Sequence, residues 1–180
     1  MTKIVLTYED YAALPDDGKR YELHEGELSV TPSPGTLHQR TIANLFLILA
    51  PHVRASGRGE LLLSPFDCIM TDITVVEPDL IYLDESRRAL LSERAVEGSP
   101  TLAIEVLSPY SIRIDRRRKL DLYAAHDVTW YWIVDPVGRT IECYHLEAGA
   151  YRLVATLDGD AARALPPFDD LPLDPAAVWR

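Results

Sequence analysis

Four side chains in the middle of this sequence have the types and order to converge as carboxylates and one ammonium. Asp79 follows Pro78, Glu105 stands inside the run TLAIEVLS, and Asp115 and Lys119 follow four residues apart. Glu105 poses the sharpest question, because its segment, Thr101 to Ser108, reads as a strand bound for the interior. A lone ionised carboxylate loses several kcal/mol or more when it leaves water unpaired, so it needs a cation, a proton or a solvent-filled cleft. A second carboxylate close by adds repulsion, which a hard divalent cation such as Mg²⁺ or Mn²⁺ relieves while favouring oxygen ligands. Each residue also has a structural reading. Glu105 could sit in a buried ion pair with a nearby arginine, Asp79 could be a turn carboxylate at the head of a strand, and Asp115 and Lys119 could be an i,i+4 helix pair worth ~0.2–0.5 kcal/mol.

Helical geometry bears on the last pair. At 100° per residue Asp115 and Lys119 fall within about 40° of each other, on the side of Leu122, whereas Arg113, Arg116 and Arg117 cluster opposite. With Arg118 these arginines form the dense basic cluster of the chain, which suits backbone phosphates or a solvated helix face.

The elements that must position these groups follow from periodicity and turn signals. Tyr8 to Leu14 suits a short helix ended by Pro15, and RYELHEGELSV two strands joined at Glu25-Gly26. From His38 to Ala55, Ile42, Leu45, Phe46 and Leu49 recur at helical spacing, with Pro51 expected to bend or end the helix. About three strands are expected between Glu60 and the run VVEPDLIYLDE, then a short helix over ALLSERAVEG closed by Gly98. TLAIEVLS, a polar helix from about Ile112 to His126 and the strand WYWIVDP form a strand–helix–strand crossover. TIECYHL and AYRLVATL form a hairpin, and the Pro-rich tail PPFDDLPLDPAAVW is expected to dock on the surface. The order indicates one α/β (α+β) domain over residues 1–180, with a mixed central sheet flanked by helices and hairpins near both ends.

Composition narrows the function. The chain has 180 residues and a formal charge of −10, with a pI near 4.9, which argues against broad nucleic-acid affinity and confines any such site to a local patch. Cys68 and Cys143 lack metal-site spacing and read as buried thiols, which suits a reducing, cytoplasmic location. The longest apolar run, near Ala43 to Pro51, is too short to span a bilayer, so no membrane is expected. Trp130 and Trp132 share one strand face and Tyr131 the other, which reads as core rather than base stacking. Ser108 and Ser111 lack the glycines of a nucleophile elbow and read as caps of the following helix.

A proline–aspartate pair followed by a strand bearing an acid resembles the PD-(D/E)XK, or restriction-endonuclease-like, superfamily. More narrowly the chain resembles the Uma-type restriction endonucleases, through RYELHEGEL, PSPGTLHQ, EPDLIYL, IEVLSPYS, DRRRKLDLYAAHDV, YWIVDP and the tyrosine of GAYRL, in family order over about four fifths of its length. Leu107 stands where the superfamily pattern has lysine. In Uma-type proteins that lysine has moved to the next helix, where Lys119 stands here.

The resemblance implies a metal-dependent endonuclease that hydrolyses phosphodiester bonds, of DNA in preference to RNA. Asp79, Glu105 and the Val106 carbonyl would hold Mg²⁺ or Mn²⁺, and Lys119 would orient or help deprotonate the attacking water. Alanine at Lys119 is expected to abolish cleavage and spare the fold. Glu22 resembles the extra acid of many such nucleases, a solvent-facing strand position being its other reading. His38 and Gln39 match the family's HQ pair and could contact phosphate, although a cap or surface role suits His38 alone. Arg113, Arg116 and Arg117 would face nucleic acid, and a homodimer is expected by analogy with enzymes that cut two strands. Two alternatives stand beside this reading: a catalytically inactive nuclease-fold protein serving as a nucleic-acid-binding or assembly module, and a metal hydrolase acting on a small phosphate compound.

Overall fold

Reciprocal hydrogen bonds between Thr7 and Asp10 cap a single short helix, α1 (Tyr8–Ala12). The structure, a computed structural model, describes residues 4–180. Strands β1 (Arg20–His24) and β2 (Glu27–Thr31) pair antiparallel through the expected two-residue turn. Glu25 and Gly26 both have positive φ, 51° and 78°, as a type I′ connection requires. A side chain at position 26 would also run into Val5.

Helix α2 (Thr36–Ser56) continues through Pro51 instead of ending there. A proline inside a helix costs about 3 kcal/mol. The fully buried Leu45, Leu49 and Val53 offset this, at about 1.5–3 kcal/mol for each large side chain. Proline deprives the Leu47 carbonyl of its usual partner, but Leu47 lies on the exposed side, where water can reach it.

Four strands follow where about three were expected: β3 (Gly59–Leu63), β4 (Asp67–Thr71), β5 (Thr74–Val76) and β6 (Leu80–Asp84). The helix expected over Ala89–Gly98 is absent. Asp84 accepts hydrogen bonds from the Ser86 and Arg87 N–H groups and so starts a 3₁₀ turn earlier, at Glu85–Leu90. Beyond it Ala95 and Val96 form β7, a buried two-residue strand parallel to β4.

Then come β8 (Leu102–Val106), a π turn at Ile114–Arg118, α3 (Lys119–Ala125) and β9 (Trp130–Asp135). Strands β8 and β9 are parallel, as the crossover reading requires. The hairpin β10 (Thr140–Glu147) and β11 (Ala150–Leu157) closes this part of the chain. The tail is more structured than a surface strap: β12 (Arg163–Leu165), β13 (Phe168–Leu173) and α4 (Pro175–Val178) bury Phe168, Leu173 and Val178 in the core.

The strands form a mixed six-stranded sheet, β11-β10-β9-β8-β6-β3, a five-stranded sheet, β2-β1-β5-β4-β7, and the β12–β13 pair. Alternation along the six-stranded sheet sends Leu80, Tyr82, Ile104, Trp132 and Val134 to one face, under α2 and the tail. Ile81, Leu83, Ala103, Tyr131 and Ile133 go to the other, where Leu122 and Tyr123 of α3 pack with Cys68, Val76 and Val96. Trp132 and Tyr131 are thus core residues of opposite faces, and Cys68 and Cys143 are buried free thiols. Among the described residues no helix is long and apolar enough to cross a membrane.

Candidate active site

The first site residues are set by β1. Its odd positions, Tyr21 and Leu23, alternate with Arg20, Glu22 and His24, so one strand face carries two charged side chains and an imidazole. That face is covered rather than solvated: Glu22 is 2% exposed and His24 1%. Glu105, in the middle of β8, points the same way as Ala103 and Ile133, into the space beneath α3. Asp79 precedes β6, and its side chain is fixed by the Val106 N–H, which donates to Oδ2 at 2.8 Å. His38, two residues into α2, places Nε2 at 3.2 Å from the same oxygen and is buried rather than a surface or cap residue.

Lys119 completes the group. The π turn before it ends with the Lys119 N–H donating to the Ile114 carbonyl, five residues back. Widened turns of this kind recur at functional sites because they re-aim the side chains around them. The ammonium is 3% exposed and donates to Glu22 Oε1 and Glu105 Oε1, each at 2.8 Å. Tyr123, one turn further along α3, donates to the same Glu105 oxygen at 2.6 Å. Asp115 is buried beside this group, on the side the helical spacing indicated.

Arg20 stands among the acids. Its Nη1 donates to Asp79 Oδ1 at 2.9 Å, while Nη2 lies 3.8 Å from both Glu22 Oε1 and Glu105 Oε2 and Nε lies 3.6 Å from Glu77. Asp79 and Glu105 therefore lie within the span of one guanidinium. Sequence reasoning missed Arg20, His24 and Tyr123. The signal for the first two was the alternation of RYELH, which marks a polar face without saying that the face is buried.

The electrostatics follow from burial and these partners. Burial acts to raise Glu22, but Lys119, His24 and Arg20 hold it well below the usual carboxylate range. Burial likewise acts to raise Asp79, and the His38 hydrogen bond and Arg20 outweigh it, so the carboxyl is lowered. Glu105 goes the other way: burial pushes it up to about 8, with Asp115 and Asp79 adding to the rise and Lys119 and Arg20 opposing it. Asp115 is raised mainly by burial. Lys119 is held above its ordinary value because Glu105 and Glu22 outweigh the cost of its own burial. Glu22, Asp79, Glu105 and Asp115 face Arg20 and Lys119 around one cavity. Four carboxylates against two permanent cations leave two negative charges over, and the upward shifts of Glu105 and Asp115 relieve part of that excess.

Behind Arg20, Asp67 and Glu77 share a hydrogen bond, and burial pushes Glu77 up to about 7 against the pull of Arg20. A carboxyl raised on folding adds stability that is complete below its ordinary value of 4.5 and is lost as pH rises through 7. Glu77→Gln keeps a donor for Asp67 and removes that loss. Relative to wild type it should gain about 1–2 kcal/mol between pH 4.5 and 8, allowing for partial solvent screening. Urea unfolding at the two pH values measures this; the same difference at both would show that Glu77 titrates normally.

The remaining predicted residues are placed as follows. Gln39 lies with Lys19, Arg20, Ser64 and Asp79 along a groove of about 600 Å³ that adjoins the inner cavity. Arg113 and Arg117 are exposed beside Tyr110, in a surface depression that meets the site at Ile114. Arg116 is engaged instead: its Nη1 donates to both carboxylate oxygens of Glu142 at 2.9 Å. Arg118 donates to Glu27 and to the His24 carbonyl. Ser111 and Ser108 hydrogen-bond each other at the entry to the π turn.

The sequence profile of the family described as Uma2, putative restriction endonuclease, matches residues 8–176. A solved structure described as a putative nuclease belonging to DUF820, from Anabaena variabilis, superposes with a TM-score of 0.78 at 20% identity, covering 97% of each chain. At that identity the likeness establishes the fold. No curated protein matches the chain.

Proposed function

The chain belongs to the Uma2 family, and from that premise we propose that it is a divalent-metal-dependent nuclease hydrolysing phosphodiester bonds of DNA. Family and fold point to a nuclease, and the metal and the substrate are our own reading. The observation that carries it is the buried cavity where Glu22, Asp79, Glu105 and Lys119 meet with two more negative charges than permanent positive ones. The cavity measures about 20 Å³, room for one water-sized body. Its donors are hard oxygens, which suit Mg²⁺ or Mn²⁺, and its carboxylates outnumber its permanent cations. Asp79, Glu105 and the Val106 carbonyl would hold that ion. When bound, it would polarise the phosphate and lower the pKa of a coordinated water.

The other residues act by charge and position. Glu105 and Glu22 hold the Lys119 ammonium above its ordinary value, which suits it to supply positive charge and hydrogen bonds to the reacting phosphate and water. Glu22 fixes the ammonium from one side and Tyr123 fixes Glu105 from the other. His38 holds Asp79, and Gln39 faces the groove through which a phosphodiester would approach. Arg113 and Arg117 offer phosphate contacts on the adjoining surface.

Cleavage of duplex DNA should require added Mg²⁺ or Mn²⁺, stop on chelation and be lost in Asp79→Ala. A gel assay on duplex, single-stranded and RNA substrates checks this, and cleavage that survives the chelator would remove the metal from the reading. One observation favours a second reading, a non-catalytic nucleic-acid-binding or assembly module. Among the described residues no group of three His, Cys, Asp or Glu side chains stands ready to hold a metal, and Arg20 and Lys119 donate to carboxylate oxygens of Asp79 and Glu105. Absence of both metal binding and cleavage would support that module.

A further inference from the structure

The guanidinium of Arg20 touches the same carboxylates that the metal reading needs, yet it is poorly held there. Only the Nη1 contact with Asp79 is a hydrogen bond, and the contacts to Glu22, Glu77 and Glu105 run from 3.6 to 3.8 Å. Its Nε and Nη2 atoms are buried without a hydrogen-bond partner. Each such donor has given up water without gaining a partner, which is destabilising. Charge keeps Arg20 in place against the preferences of its own N–H groups.

It also has somewhere to go. Arg20 opens β1 directly after the Asp17-Gly18-Lys19 turn, and it lines both the inner cavity and the adjoining groove. A rotation of the side chain into the groove would satisfy its donors with water and free Asp79 Oδ1 and Glu105 Oε2.

We propose that Arg20 is an internal counter-ion standing in the metal's place: its guanidinium competes with a divalent cation for Asp79 and Glu105 and leaves for the groove when the cation binds. The proposal rests on the metal-dependent reading above. It accounts for a site whose donors and charge suit a divalent ion while no ligand group is preassembled. In the state described here the binding-competent arrangement is the minor one, and apparent metal affinity is reduced by the fraction of molecules in which Arg20 has moved aside.

Isothermal titration of the full chain with Mn²⁺ tests this. Arg20→Met should bind Mn²⁺ about tenfold or more tightly than wild type. Equal or weaker binding by the variant, with wild type still binding, would overturn the counter-ion role and leave the metal reading standing. No binding by either protein would overturn both. Because loss of a buried guanidinium can unfold the chain, a second measurement uses wild type alone. Saturating Mg²⁺ should shift the Arg20 Nε–H resonance to that of a solvated arginine, and an unmoved resonance at saturation would equally overturn the proposal.

Discussion

Replacing Lys119 by alanine should cost about 3–5 kcal/mol of folding stability and abolish cleavage. The stability loss follows from burial: the ammonium is 3% exposed and bridges Glu22 and Glu105 at 2.8 Å each, so its removal strands carboxylates in the interior. The expectation from sequence alone, that the substitution spares the fold, is therefore revised. Urea unfolding gives the first quantity and the gel assay the second. Combining Lys119→Ala with Glu105→Gln should recover part of the lost stability at high pH, where Glu105 would otherwise ionise without its counter-ion. A single-variant loss of a few tenths of a kcal/mol would mean that the ammonium is solvated in solution.

Glu105→Gln separates chemistry from folding in the opposite way. The amide carbonyl still accepts hydrogen bonds from Lys119 and Tyr123, so the fold should persist, while loss of the carboxylate should reduce cleavage on the order of a hundredfold or more. The pH dependence gives an independent check. Glu105 rises on folding from 4.5 to about 8, so the stability it contributes is complete below 4.5 and is lost as pH rises through 8. The glutamine variant lacks this loss, and its stability relative to wild type should increase steadily from pH 5 to pH 9. A flat difference would mean that Glu105 stays ionised throughout.

Much of this site could be read in the sequence, and the parts that could not share a physical cause. Glu105 was legible from its own segment, because a carboxylate in the middle of an apolar strand conflicts with its surroundings, whereas Asp79 and Lys119, each with an ordinary structural reading, were singled out through the family resemblance. Arg20 was not, because RYELH alternates in a way that fits both a half-solvated strand and one covered on both faces. Only the packing of α3 over β1 and β8 decides between these, and a pattern of period two carries no information about what lies above it. His38 was placed too near the surface for the same reason, since the start of a long helix is usually wet. In the fold, the central crossover and both hairpins followed from turn chemistry and strand composition. Strand β7 was hidden because two residues cannot display a period, and α2 outlasts Pro51 because buried Leu49 before it and Val53 after it hold the helix on both sides of the break.

The site straddles two hydrogen-bonded networks with unequal grips. Val106 and Glu105 ride on β8, which has a neighbouring strand on each side in the six-stranded sheet. Among the described residues, Arg20 and Glu22 ride on a hairpin registered to β5 by the pair Leu23↔Val75, with further bonds from the Gly26 N–H to the Ile73 carbonyl, the Leu6 N–H to the Gly26 carbonyl, the Glu77 N–H to Glu22 Oε1 and the Tyr11 hydroxyl to the Tyr21 carbonyl. Amide protons of β8 should therefore exchange with deuterium only when the whole sheet opens, and those of β1 through smaller, commoner fluctuations. Each such excursion lifts two charged groups out of the cluster and leaves the frame standing, so the hairpin, and not the global unfolding free energy, governs how often the cluster is assembled.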